Sequence, residues 1–419
     1  MTISIPSIKA ENTRMAILSL LAMETPKIRD VASIIGLLVS CELAVPYGPM
    51  YRHTIENEKN KMLAQNGGNF EAKMVLSEQA TSDLHWWSKT LPSSTAPMHR
   101  HMPDYVIETD ASKEGWGAHC DGRTTGGQWS RQEALHHINY LELKACLLAL
   151  QSFFPSHGRI VIHLKSDNAT TIAYLKHFGG SKSELLNKLS REIWTWCMSR
   201  NIWLTVSHLP GSENIVADYA SRHFRDDLEW KLDPCVFQRL TQSFQMPDVD
   251  LFASRLNYQV SSYVSWQADP SCAHIDAFTI DWSAYECFYA FPPFSLIDRV
   301  LTKIEHDKAK GIVVAPLWHT QPWFPKMMKM LTRRPCILPA KPDLLSLPFS
   351  DRAHPLRDRL RLMACLLSGK HSENKEFLDK LPRLSLHPGE RPPGNAIDQH
   401  YRSGFTSVVR QRLILFDQM

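Results

Sequence analysis

Four acidic residues between positions 104 and 222 sit at the edges of regular elements. Asp110 closes a strand candidate, in Glu108-Thr109-Asp110-Ala111-Ser112. Glu142 lies in the first turn of a helix candidate, in Asn139-Tyr140-Leu141-Glu142-Leu143. Asp167 follows an alternating strand, in Ser166-Asp167-Asn168, and Asp218 lies in a short helix, in Ala217-Asp218-Tyr219. Carboxylates gathered at one point repel one another unless cations join them, and hard divalent ions prefer oxygen ligands. Two such ions ~4 Å apart activate water and stabilise the leaving oxygen of a phosphodiester. Each acid also has a plainer role open to it. Glu142 stands three residues after Asn139 and could close a capping box. Asp167 could cap the next helix, Asp110 could sit in a turn, and Asp218 could be a solvated helix residue.

The elements that must bring these acids together follow from periodicity. Residues 105–110, 115–120 and 126–129 read as strands, the last two bounded by glycine. Residues 139–150 read as a helix with Leu141, Ala145 and Leu148 on one face. Residues 159–166 alternate as a half-buried strand. Residues 203–209 form another strand, and 214–221 a short helix. Upstream, Thr25-Pro26 reads as a helix start, with Ile28, Val31, Ala32, Ile35 and Val39 as an apolar stripe. Further helices are expected over 50–64 and 76–87, and a linker over 91–98. Downstream, strands are expected at 249–252, 287–290, 312–315 and 336–338. Helices are expected at 296–308, 323–331 and 356–367.

The segments TDASKEGWGAH, INYLELKACLLAL, LKSDNATTIAYL and HLPGSENIVADYASR, in this order and spacing, resemble the four blocks of a retroelement ribonuclease H domain. The resemblance implies a five-stranded mixed sheet with flanking helices. It implies that Asp110, Glu142, Asp167 and Asp218 bind two Mg²⁺ ions, with Mn²⁺ as a substitute, and hydrolyse the RNA strand of an RNA–DNA hybrid. Ser112, Asn139, Asn168 and Asn214 stand beside the acids as expected substrate contacts. One departure matters. The loop before the last acid is Pro210-Gly211-Ser212-Glu213 and lacks the mobile histidine of cellular and retroviral members. His208, at the strand end, is expected to be structural, and product release is expected to be slower.

Two flanking regions carry further resemblances. VASIIGLLVS, VPYGPMYRHTIENEKNKML and LSEQATSDLHWWS resemble a reverse transcriptase thumb and connection. DVDLFASRLN, SYVSWQADP, IDAFTIDW, CFYAFPPFSLI and GIVVAPLWHTQPWFPKM resemble the phage-type DNA N6-adenine methyltransferase domain of DIRS-type retrotransposons. Active methyltransferases place Asn or Asp before Pro-Pro-aromatic, to accept the amino hydrogens of a flipped adenine. Here Phe291 precedes Pro292, Pro293 and Phe294. A phenyl ring accepts no such bond, so methylation is expected to be lost, while Pro292, Pro293 and Phe294 still shape a base-sized slot. No polymerase palm is expected. The nearest string, Phe224-Arg225-Asp226-Asp227, lacks flanking apolar strands and reads as a linker.

The 419 residues carry 47 Lys and Arg against 43 Asp and Glu, so net charge alone signals no nucleic-acid partner. Residues 346–419 hold twelve basic against eight acidic residues and read as a basic tail. The longest charge-free run, 311–325, is too short to span a membrane. Nine scattered cysteines without a CxxC pair read as reduced thiols of an intracellular protein, nuclear or cytoplasmic.

The expected fold class is α/β, a ribonuclease H-like mixed sheet preceded by a helical region and followed by a Rossmann-like α/β domain. The expected divisions are 1–100, 101–225, 226–345 and 346–419. The expected activity is metal-dependent cleavage of RNA in RNA–DNA hybrids within a retrotransposon polyprotein. A separate polymerase palm segment and single-stranded DNA are the other expected partners. The alternative is a non-catalytic nucleic-acid-binding protein descended from such an element.

Overall fold

Tight hairpins and helical crossovers together build the central sheet. In the computed structural model, which describes residues 1–99, 101–224, 229–382 and 405–419, β3 (Tyr105–Ala111), β4 (Gly115–Cys120) and β5 (Arg123–Gln128) form an antiparallel meander. Asp121 and Gly122, both at positive φ, close the two-residue turn between β4 and β5, as a primed hairpin turn requires. Helix α5 (Ile138–Phe153) then crosses over to β6 (Val161–Ser166), which pairs parallel to β3. Helices α6 (Ala169–Lys176) and α7 (Glu184–Ser199) cross to β7 (Trp203–His208), parallel to β6. The sheet order is β5-β4-β3-β6-β7, a ribonuclease H-like mixed sheet.

Pleating sorts the side chains of β3. Ile107 and Thr109 are fully buried, and the Thr109 hydroxyl lies 3.5 Å from Cys146 Sγ on α5. Asp110 points to the other face, where α8 (Ile215–Ala220) packs against β4 and β5. Two glycines make that approach feasible. A Cβ at Gly117 would lie 2.2 Å from the Ala217 carbonyl oxygen, and one at Gly126 2.9 Å from that of Ala220.

The N-terminal region joins this sheet in one compact unit, which holds nearly all of residues 1–223. Its helices are α1 (Ser7–Leu21), α2 (Ile28–Val39), α3 (Gly48–Gln65) and α4 (Glu78–Thr90). Two short strands, β1 (Thr2–Ser4) and β2 (Thr95–Pro97), pair antiparallel, so part of the expected linker is a strand. Helix α2 begins after Lys27, whose N–H donates to Asp30 Oδ2 at 3.0 Å; Thr25 is not the cap. Its buried stripe is Ile28, Val31, Ile34, Ile35 and Leu38, while Val39 is exposed. The buried stripe is rotated from the expected one: both sets keep helical spacing, but the set counted from Val31 puts the larger Ile34 and Leu38 inward in place of Ala32 and Val39. Arg191 of α7 makes paired bonds of 2.6 and 2.8 Å to the buried Asp83 of α4. The same guanidinium stacks over Tyr51 of α3. Tyr47 packs among Phe178, Trp194 and Trp203.

A second unit, built on residues 224–419, is a Rossmann-like α/β domain. Strands Val249–Asp250, Phe288–Ala290 and Lys310–Pro316 run parallel, and Leu362–Ser368 pairs antiparallel to the last of them. Cys336–Ile337 and Asp417–Gln418 extend the sheet. Helix Ile297–Asp307 presents Ile297, Val300, Leu301 and Ile304 to one core layer. Helix Pro234–Ser243 presents Val236, Phe237 and Leu240 to the other.

Two expectations change here. The helix expected over 356–367 is absent, and its second half is the strand Leu362–Ser368, in which Leu362, Ala364 and Leu366 enter one layer and Met363, Cys365 and Leu367 the other. A strand buried on both faces shows no polar alternation, so its apolar run is ambiguous in sequence. The stretch read as a basic tail therefore supplies an interior strand. Phe224-Arg225-Asp226-Asp227 falls largely outside the described residues. Among the described residues, no helix is long and apolar enough to cross a membrane.

The glycine seats give a direct test. Gly117→Ala should destabilise the chain by about 2 kcal/mol or more, because the added methyl meets backbone that cannot yield. Gly36→Ala, at an exposed helical site with nothing within 4 Å of the new Cβ, should stabilise it by about 0.5–1 kcal/mol. Thermal and urea unfolding of both variants would show whether α8 depends on that close approach.

Candidate active site

β3 and β6 are neighbours, so their C-terminal ends meet. Asp110 leaves the end of β3, Asp167 follows β6, and Glu142 reaches the same point from α5. Among the described residues, these three form a group able to hold a metal ion, with one oxygen from each lying within 4.8 Å of the others. Asp110 and Glu142 are each 5% exposed. None of the three serves as a cap. His137 caps α5 and Asn168 caps α6, its Oδ1 accepting from the Thr171 N–H at 2.9 Å.

The electrostatics follow from crowding like charges in a desolvated place. Burial, then the neighbouring Asp110 and Asp167, push the Glu142 carboxyl up from about 4.5 to about 9. Asp110 is raised for the same main reason, burial, and partly relieved by a hydrogen bond from Ser221. Ser221 Oγ donates to Asp110 Oδ2 at 2.6 Å. Glu142 Oε2 is buried with no partner. An unpaired carboxylate oxygen, two further carboxylates and an all-oxygen donor set fit a hard divalent cation. The backbone also leaves room for the third ligand. A Cβ at Gly211 would stand 3.1 Å from Asp167 Oδ2.

The fourth acid does not join this group. Asp218 sits on α8 with its side chain 44% exposed, and its Oδ1 accepts from Arg222 Nη2 at 2.7 Å and Nε at 2.9 Å. Its charge nonetheless reaches Asp110.

The expected substrate contacts divide in two. Asn139 and Asn168 are half-buried beside the acids and bond to each other at 3.1 Å. Ser112 and Asn214 are buried and already engaged. Ser112 Oγ accepts from the N–H groups of Glu114 and Gly115 and donates to Ser221 O at 2.6 Å. Asn214 Nδ2 donates to Thr109 O at 2.9 Å. Both residues fasten α8 to the sheet with buried side chains, a role that spacing alone could not separate from a surface contact. Ser221 and Arg222 are site residues that the pattern of acids does not mark: Arg222 stands i+4 from Asp218, a local ion-pair signal, whereas the contact of Ser221 with Asp110 joins residues 111 apart. His208 ends β7 exposed.

The second unit has its own concavity. A cavity of about 470 Å³ opens beyond the strand ends at Asp250 and Ala290, lined by Phe252, Trp266, Phe278, Phe291, Pro293 and Arg299 among others. Phe291 and Phe294 pack 6.4 Å apart, and Phe294 meets Trp318 edge-on. Pro292 is buried. Of the expected slot residues Pro292, Pro293 and Phe294, Pro293 alone lines the cavity, beside Phe291.

No family model matches the chain. It is 25% identical over 143 residues to the enzymatic polyprotein of cauliflower mosaic virus, strain D/H, covering 30% of this chain and 21% of that protein. The Strasbourg strain polyprotein matches equally, with 20% of its length covered. The chain thus spans about a fifth of the curated relatives it matches. Among solved structures, it is similar to RNase H1 from the halophilic archaeon Halobacterium salinarum, at 17% identity and a TM-score of 0.24, over 28% of this chain and 91% of that one. It is also similar to a foamy viral protease-reverse transcriptase bound to double-stranded DNA, at 11% identity and a TM-score of 0.19, over 49% of this chain and 35% of that one.

The raised carboxyls set a pH dependence. The folded state holds the Glu142 proton up to about pH 9 whereas the unfolded chain releases it near 4.5. This group's contribution to stability is therefore fully present below the lower value and is lost as pH rises toward the higher one. Divalent ions bind the deprotonated form and release the proton. The rise in Tm caused by Mg²⁺ should accordingly be larger at about pH 8.5 than at about pH 6. Glu142→Gln should raise metal-free stability by about 2 kcal/mol or more and flatten the Mg²⁺ response. Scanning fluorimetry across pH, with and without Mg²⁺, measures both.

Proposed function

We propose that residues 101–225 are a ribonuclease H that cleaves the RNA strand of RNA–DNA hybrids with two Mg²⁺ ions, Mn²⁺ substituting. The observation that carries this reading is the meeting of Asp110, Glu142 and Asp167 around an unpartnered, buried Glu142 oxygen. When bound, the ions would supply charge neutralisation for the attacking and leaving oxygens of the phosphodiester. The protein's own groups hold and orient. Asp110, Glu142 and Asp167 would carry the ions, with Asp218 as the fourth ligand. Ser221 fixes the Asp110 carboxylate, and the Asn139–Asn168 pair offers amide groups to the sugar or base edge, where a 2′-hydroxyl separates RNA from DNA.

The similarity to viral enzymatic polyproteins supports placing the chain in a retroelement polyprotein. On this reading, 1–100 is a thumb and connection remnant, and 226–345 is the methyltransferase-like region of a DIRS-type element. The protein would work inside the cell, in nucleus or cytoplasm, beside a separate palm segment. The alternative, a non-catalytic nucleic-acid binder, is favoured by one observation, the engagement of Asp218 by Arg222 instead of the triad.

A labelled RNA–DNA hybrid separates the two. The wild type should cut the RNA strand in Mg²⁺, stop in EDTA, and leave duplex DNA intact. Asp110→Asn should reduce cleavage to background while hybrid binding persists, since it removes a metal ligand and not a phosphate contact. Binding without cleavage by the wild type would establish the alternative. Cleavage that survives Asp110→Asn would place the activity elsewhere.

For the second unit we propose no adenine methylation. Phe291 offers carbon alone at its place on the cavity wall, where Glu229, Asn257 and Asp276 supply the acceptor side chains, and an adenine amine held against Phe291 without an acceptor loses ~1–3 kcal/mol and its alignment. Transfer of labelled methyl groups to DNA should be absent in the wild type. Robust transfer would show that another group accepts the amine.

A further inference from the structure

Ser221 and Arg222 end α8 and grip two different carboxylates. Ser221 is fully buried and donates to Asp110. Arg222 places two nitrogens on one oxygen of Asp218. The four acids are therefore not equivalent. Asp218 has a cation of the protein's own, whereas the triad has a hydroxyl, a backbone N–H from Ala111 and an unpartnered oxygen. A pair spaced i, i+4 on a helix ordinarily contributes little, and both partners here are about half exposed, 53% for Arg222 and 44% for Asp218. That weakness makes the pair easy to displace. A doubly charged ion flanked by several carboxylates competes well against one solvated guanidinium.

We infer that Arg222 is a positioning residue that reserves Asp218, holding its carboxylate apart from the triad until a divalent ion displaces the guanidinium. The ions then load in sequence, the triad first and the Asp218 position second, and Arg222 sets the affinity of the second step. This rests on the metal-dependent nuclease reading. Two features of the fold support the division. The triad lies at the ends of the interior strands β3 and β6 and on the buried face of α5, with one oxygen from each acid within 4.8 Å of the others. Asp218 stands on a six-residue helix tethered to the sheet through Ser221, Ser112 and Asn214, so its side chain can turn without disturbing the triad.

Mn²⁺ binding to the full chain, followed by the electron paramagnetic resonance of free Mn²⁺, tests this without reference to activity. The wild type should show a tighter and a weaker event. Arg222→Gln should leave the tighter event unchanged and strengthen the weaker by about 3- to 10-fold, as a competing charge is removed. Arg222→Lys, which keeps the charge, should stay near the wild type. Asp218→Asn should delete the weaker event alone. Circular dichroism confirms that each variant is folded. A weaker event that is unchanged or further weakened in Arg222→Gln overturns the inference. If the wild type binds no Mn²⁺ at all, the nuclease reading falls with it. If two ions bind, hybrid is cut, and the Arg222 variants bind as the wild type does, only the inference fails.

Discussion

Three carboxylates held within 4.8 Å of one another, two of them almost wholly out of water, repel strongly, and the surrounding structure exists to hold them together. Such a cluster is stable only if protons or cations share the site. Raised Asp110 and Glu142 carboxyls are the proton form of that compromise, and a divalent ion is the other. The sheet order makes the crowding unavoidable. With β3 and β6 parallel and adjacent, the residues that follow their last hydrogen bonds must share one edge, and the α5 crossover carries Glu142 over it. Loops at the carboxyl ends of parallel strands are where α/β sheets gather their chemistry.

The supporting contacts all resist that repulsion. Gly117 and Gly126 let α8 settle directly on the sheet. Asn214 and Ser112 tie its two ends to β3 through buried bonds. Ser221 donates a neutral hydroxyl hydrogen bond into the cluster. On the outer side, the Asp83–Arg191 pair and the Tyr47 aromatic cluster fasten the N-terminal helices to α7. Breaking a pair that buries Asp83 this deeply leaves a charge stranded, which makes the helical region an integral part of the unit and not an appendage.

The second unit rests on a different constraint. Its interior strands are covered on both faces by helices, so nearly every residue of Lys310–Pro316 and Leu362–Ser368 is apolar and buried. Its concavity includes the rings of Phe252, Trp266, Phe278 and Phe291 together with the acids Glu229 and Asp276, and Arg299 lies 3.7 Å over Phe278. Such walls favour flat, unsaturated groups.

The sequence by itself determined the elements around the acids and the order in which they occur. Strand alternation at 159–166 and the glycine-bounded strands at 115–120 and 126–129 are local signals, written every second residue, and the observed strands overlap each of them. The identities of Asp110, Glu142 and Asp167 were legible because an acid at the end of an apolar strand or helix face is conspicuous. Tertiary structure alone decided which acids meet. Asp218 lies in the same quoted block as its neighbours, yet Arg222 four residues later claims it, and whether a side chain turns toward the cluster or toward a neighbour one turn away depends on contacts between elements distant in sequence. The same holds for Ser112 and Asn214, whose polar types suggest substrate contacts until the fold buries them against α8. Leu362–Ser368 shows the complementary limit: burial on both faces erases the alternation by which a strand is recognised, so only the sheet around it reveals what it is.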